Sequence, residues 1–171
     1  MTDPTATDTA TPAAPFMSQR RAVEPEWIDY NGHLNMAYYN VLFDRGLEDP
    51  FDVIGINLAY TRERRLTTYT AELHVCYVRE LHVGNETVCA VRILDHDDKR
   101  MHVFIEMFHV DGWLAATAEL LVLHIDMNGP KVVPFPPDIL ARIKAMHAEH
   151  ARLPTPARAG RTVGIRRKTP A

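Results

Sequence analysis

The sequence predicts an α+β domain of two layers, an antiparallel sheet of four long strands with one long helix lying on its apolar face. Three observations predict it. Apolar residues recur at three- and four-residue spacing through Met36, Tyr39, Phe43 and Leu47. Four stretches rich in Val, Ile, Leu, Thr and aromatics follow, separated by short turns. The last two of these, folded about Asp111-Gly112, present one face that is apolar throughout.

Thr, Ala and Pro dominate the first 15 residues and cannot bury enough apolar surface to offset chain ordering, so 1–16 is expected as a disordered leader. A first strand is expected over 17–28, with Pro25 marking its end or an edge. The polar loop Asp29-Tyr30-Asn31-Gly32-His33-Leu34-Asn35 follows. Asn35 is the expected N-cap of the helix, and Pro50 its end. Strands are expected at 67–80, 86–94, 100–110 and 113–126, arranged as a meander, with Asp111-Gly112 as a two-residue hairpin loop. Pairing Val110 with Trp113 places Met101, Val103, Ile105, Met107, Ala116, Ala118, Leu120 and Val122 on one side. The alanines there leave room for close approach of a helix. The opposite side, with Phe104, Glu106, Phe108, Glu119 and Leu121, is mixed and suits solvent or a subunit contact. Pro136-Pro137-Asp138 opens a last helix reaching His150, and 152–171 reads as a basic flexible tail. The folded unit is therefore 17–151, in the order β-α-β-β-β-β plus a C-terminal helix.

With 171 residues, 46% hydrophobic and 24% charged, the chain has room for one packed domain. A net charge of -3 argues against general nucleic-acid binding, which needs clustered Lys and Arg. The tail holds six basic residues and no acid, which leaves 13 basic against 20 acidic residues in 18–151, a net of -7. Cys76 and Cys89 are too few for a disulfide scaffold and are expected as reduced thiols. No apolar run approaches the roughly 20 residues that span a bilayer, and the N-terminal residues lack a basic start followed by an apolar stretch. A cytoplasmic protein without membrane or nucleic-acid partners is the expectation. The nine histidines show no ligand spacing such as His-Glu-x-x-His, and the His147/His150 pair reads as surface, so no metal and no redox cofactor is expected.

A strand, a short polar loop and a helix start make the natural place for chemistry, because free amides at the helix N-terminus stabilise negative charge. Asp29 offers a carboxylate beside them, able to attack or to activate water while amides hold an oxyanion. Taken singly, Asp29, Asn31, Gly32 and Asn35 are ordinary turn and capping residues, and His33 an ordinary loop histidine.

The order Trp-Ile-Asp-Tyr-Asn-Gly-His-Leu-Asn-Met-Ala-Tyr-Tyr at 27–39 resembles the active-site segment of hot-dog-fold acyl-CoA thioesterases of the 4-hydroxybenzoyl-CoA thioesterase-like type. Asp29, Gly32, Asn35 and Tyr39 match that family's pattern as they stand. The stretches Asn31-Gly32-His33-Leu34-Asn35, Tyr77-Val78-Arg79-Glu80 and Pro134-Phe135-Pro136-Pro137 further resemble thioesterases associated with carnitine and betaine breakdown. The resemblance implies a long central helix wrapped by the sheet, homodimers or homotetramers with sites between subunits, and hydrolysis of an acyl-CoA, with betainyl as one candidate acyl group. Asp29 is then base or nucleophile, with Asn31 and His33 orienting water or substrate; Glu72 is a second carboxylate candidate. Trp27, Tyr38, Tyr39 and Tyr69 offer aromatic faces for a quaternary ammonium, while Lys99 and Arg100, with Arg79, offer charge for CoA phosphates. The rival readings are a hot-dog hydroxyacyl-thioester dehydratase, for which His33 would pair with a carboxylate, and a non-catalytic acyl-CoA binding module.

Overall fold

The computed structural model of the chain describes residues 14–165, so the leader up to residue 13 and the cluster Arg166, Arg167 and Lys168 lie outside the described residues. In chain order the elements are β1 (Phe16–Met17), β2 (Arg21–Ala22), α1 (Met36–Ile54), α2 (Leu58–Arg64), β3 (Leu66–Tyr77), β4 (Glu86–His96), β5 (Arg100–His109), β6 (Leu114–Asp126), β7 (Lys131–Val132) and α3 (Pro137–His150). The strands form one antiparallel sheet in the order β1-β4-β5-β6-β3, with β2 also on β4 and β7 on β6. This is the α+β hot-dog arrangement expected from the sequence. The eight residues assigned to the apolar face are all buried. They share one core with Leu42, Phe43, Leu47 and Ile54 of α1, each such side chain contributing about 1.5–3 kcal/mol. Gly46 lets the helix close on β4: a Cβ there would stand 2.7 Å from Cys89 Sγ.

Several expectations need correction. The first strand is two short pieces along β4, because Pro25 starts a 3-10 turn over Pro25–Trp27 in place of a continuous strand. Pro50 does not end α1. It is buried within the helix, and packing of the face that continues to Ile54 outweighs the roughly 3 kcal/mol cost of an internal proline. Gly55, at φ 88°, makes the actual cap. The hairpin loop is one residue longer than expected: His109 N–H donates to the Trp113 carbonyl at 2.9 Å, and Gly112 takes φ 88°. The shift this requires is confined to Met107/Phe108, so Phe104↔Glu119 and Glu106↔Thr117 pair as expected. The short elements α2 and β7 carry too few residues for a periodic signal.

The strands are not a meander. β3 pairs with β6 rather than β4, so the connection from 78 to 85 must cross the end of the sheet. Cys76 and Cys89 consequently sit on β3 and β4 with two strands between them, both as free thiols. On the mixed face Phe104 is buried. Residues that follow α3 cross over it: the Pro154 carbonyl accepts from Arg92 Nη1 at 2.8 Å on one side, and Gly160 N–H donates to Glu119 Oε2 at 2.8 Å on the other. His147 and His150 are likewise not a surface pair. His150 Nδ1 accepts from Ile93 N–H at 3.0 Å and His147 Nε2 donates to the Leu94 carbonyl at 3.2 Å, fixing α3 to β4.

Candidate active site

The loop before α1 is a tight turn closed on Asp29. Asp29 N–H donates to the His33 carbonyl at 2.9 Å, and Gly32 N–H to the Asp29 carbonyl at 3.0 Å. Gly32 is at φ 79°, a conformation that other residues adopt only with strain. Asn31 N–H donates to Asp29 Oδ1 at 2.8 Å. The turn role and a chemical role are compatible, since a carboxylate has two oxygens and Oδ2 is left over. Asn35 ends the loop, its side chain accepting from Ala37 N–H at 2.9 Å as the helix cap.

The crossing connection supplies the facing wall. Leu34 N–H donates to the Leu81 carbonyl at 2.7 Å. Tyr39, buried in the first turn of α1, accepts from Leu81 N–H at 3.2 Å, with the Arg79 carbonyl 3.5 Å from its hydroxyl. Tyr77 donates to the Met36 carbonyl at 3.1 Å and meets the Tyr39 ring edge-on, centroids 5.1 Å apart. Burial raises the pKa of both phenols, so both remain protonated donors at neutral pH. Between these walls lies a cavity of ≈ 350 Å³ lined by Asp29, His33, Leu34, Met36, Tyr39 and the segment from Tyr77 to Glu80. A larger cleft of ≈ 520 Å³ between α1 and β3 is lined by Asp44, Glu48 and Asp52, a charge set that repels phosphate.

The structure gathers Asp29, His33 and Tyr39 in one cavity, together with Arg79. Asn31 approaches Asp29 through its backbone amide. Of the helix amides expected to face substrate, Ala37 N–H is taken by the Asn35 side chain and Tyr38 N–H by the Asn35 carbonyl, which leaves that of Met36. Trp27 and Tyr38 stack on each other at 5.6 Å, and Arg45 lies 5.0 Å from the Trp27 ring centroid, so a cation already occupies that face. Tyr69 is exposed on β3, and Glu72 lines a separate cleft with His74, His102 and Glu119. Lys99 and Arg100 lie at the start of β5, at the end of the sheet opposite Tyr77, and Arg100 is paired with Asp97. Within a single chain these four do not join the cavity. The sequence alone does not single out Tyr77, Glu80 and His82 as individual site residues. The Tyr77-Val78-Arg79-Glu80 stretch is the available signal; its position depends on the crossing connection, which no local pattern reveals.

Comparison with known proteins identifies the family. The Thioesterase-like superfamily profile matches residues 23–143. A betainyl-CoA thioesterase of Pseudomonas aeruginosa is 32% identical over 84% of this chain and 91% of its own length. An L-carnitine dehydrogenase/betainyl-CoA thioesterase of Rhizobium meliloti is 36% identical over 85% of this chain, which spans 29% of that longer protein. Among solved structures, a Staphylococcus aureus protein in complex with CoA superimposes with a TM-score of 0.83 at 27% identity, covering 93% of this chain and all of its own. The chain belongs to the Thioesterase-like superfamily and is a thioester hydrolase on the hot-dog fold.

Proposed function

We propose that the enzyme hydrolyses betainyl-CoA or a closely similar short acyl-CoA, with Asp29 as the general base. The observation that carries this reading is the cavity that holds Asp29, the start of α1, two phenols and Arg79 together. Asp29 Oδ2 takes a proton from water as the water oxygen attacks the thioester carbonyl carbon. The oxygen of the resulting tetrahedral intermediate faces the Met36 amide and the positive end of the helix. Collapse breaks the C–S bond, and the proton held by Asp29 goes to the departing sulfur. His33 and Asn31 orient water and substrate, and Gly32 gives the turn its shape. The rings of Tyr39 and Tyr77 suit a trimethylammonium group.

A homodimer completes the site in this reading. β3 is a 12-residue edge strand with Tyr69, Leu73 and Tyr77 exposed, and no strand covers its outer side among the described residues. Antiparallel pairing of two copies about the middle of β3 brings the Leu66 end of one beside Tyr77 of the other. That is the sheet end carrying Lys99 and Arg100, which then supply charge for CoA phosphates across the interface. Among the described residues no helix is long and apolar enough to cross a membrane.

The test is Asp29→Asn assayed with betainyl-CoA and a panel of acyl-CoAs, following release of the free thiol. A fall of roughly 10²–10⁴-fold in kcat with native melting is expected; unchanged turnover removes Asp29 from the mechanism. Single-turnover hydrolysis in ¹⁸O-water separates the two roles of Asp29, since only a nucleophilic carboxylate acquires label. A dehydratase would instead change the acyl chain without releasing thiol.

A further inference from the structure

The rim of the cavity carries a cluster of which the hydrolytic reading uses only His33. His33, Glu80 and His82 each offer a ligand atom, and these atoms lie within 4.8 Å of one another. We infer that this is a site for a divalent cation of the zinc type. Two separate segments build it, which is why no ligand spacing is visible in the sequence. His33 belongs to the Asp29 turn, while Glu80 and His82, both exposed, flank fully buried Leu81 on the crossing connection.

The chemistry of the donors selects the ion. Two imidazoles and a carboxylate form a set that zinc favours and that calcium or magnesium, which prefer oxygen donors, do not. Ligand atoms around a tetrahedral zinc with bonds of about 2 Å stand roughly 3.3 Å apart, so the three atoms, now within 4.8 Å of one another, must draw together to bind it. Glu80 and His82 are exposed and His33 half-buried, which gives an ion direct access and leaves a fourth position for water. His82 is also oriented: its Nδ1 lies 3.2 Å from the Gly32 carbonyl. A proton donated there holds the ring and leaves the other nitrogen its lone pair, as an outer partner does for metal-bound histidine. His33 and His82 already meet edge-on with centroids 5.1 Å apart. A bound cation ties the Asp29 turn to the facing wall and adds positive charge at the rim.

The experiment is titration of the full chain, stripped by chelator, with zinc chloride by calorimetry and with cobalt chloride by visible absorption. Expected are one zinc per chain and the intense bands of tetrahedral cobalt. His33→Ala, Glu80→Gln and His82→Ala should each weaken zinc binding by more than the roughly 10- to 100-fold that loss of an outer partner causes. Zinc should raise the melting temperature of the parent protein but not of His82→Ala. Absence of stoichiometric binding overturns the inference. So does binding that survives all three substitutions, which would place the ion elsewhere, for instance at His96 and His147, whose ring centroids are 5.0 Å apart. No thioester is present in these measurements, so their failure leaves the hydrolase reading intact.

Discussion

Replacing Tyr39 by Phe tests the link between the helix and the facing wall. The hydroxyl accepts from Leu81 N–H at 3.2 Å, and Leu81 is 0% exposed. Its second contact, 3.5 Å from the Arg79 carbonyl, is at the limit for a hydrogen bond and contributes little. The substitution keeps the ring and its packing but leaves a buried backbone donor unpaired, at a cost of about 1–3 kcal/mol. For a chain of this size each kcal/mol lowers Tm by about 2–4 °C, so calorimetry should show a fall of about 2–12 °C. Hydrogen exchange should locate the loss, with faster exchange at Leu81 and its neighbours while the β5–β6 ladder stays protected. Arg79 and Glu80 hang from the same connection, so kcat/KM should fall about tenfold or more with the wall misplaced. Parent values for both Tm and the exchange at 79–82 would refute this link. Tyr77→Phe is the contrast: its hydroxyl bond to the Met36 carbonyl is exposed, and its removal should cost well under about 1 kcal/mol.

Four further outcomes are expected. Gly46→Ala gains about 1 kcal/mol of helix propensity but drives a Cβ to 2.7 Å from Cys89 Sγ and 2.8 Å from its Cβ; overpacking of about 1–3 kcal/mol should prevail in urea unfolding. Burial lowers the pKa of His124 and of His150, so both are neutral in the fold. The unfolded chain protonates them near about pH 6.5, so their stability is complete above that pH and is lost as pH falls below it towards the folded values. Urea midpoints should therefore decline from about pH 7 to about pH 5, less steeply in His150→Asn, whose amide oxygen can still accept from Ile93. Truncation after Ala151 removes the segment crossing Phe104 and should lower Tm and expose dye-binding apolar surface, whereas truncation after Thr162 should do neither. Arg79→Ala should raise KM for CoA thioesters about tenfold with little change in kcat, the signature of lost uniform binding.

Strand identity, the apolar face and the hairpin register were legible because all three depend on period-two alternation within a few residues of Asp111-Gly112. The extra loop residue at Val110 was absorbed by one register shift and left the faces intact. Helix α1 was legible at its start, where Asn35 caps it, and misread at its end, where burial overrides the helix-breaking tendency of Pro50. Sheet order was not legible. Nothing near 78–85 says whether β3 pairs with β4 or with β6, since that choice depends on which edge the whole sheet offers. The candidate site divides the same way: Asp29, Gly32, Asn35 and Tyr39 lie in one contiguous motif, while Glu80 and His82 reach it only through the crossing.

The crossing also answers a difficulty posed by the charge balance. A body at -7 must hold an anionic CoA, and half of its ten arginines already sit beside a carboxylate. Arg21, Arg45, Arg64, Arg92 and Arg100 each lie within 4.0 Å of a carboxylate. Arg79 is held differently, its guanidinium 4.1 Å over the Trp113 ring. A ring face positions a cation without neutralising it, so the full charge stays available to a phosphate. Had β3 turned directly into β4, Arg79 would sit in a tight hairpin away from the Asp29 turn. The longer route across the sheet end lets one eight-residue connection bring a free cation, a carboxylate and an imidazole to the helix start, at the modest entropic cost of a longer loop.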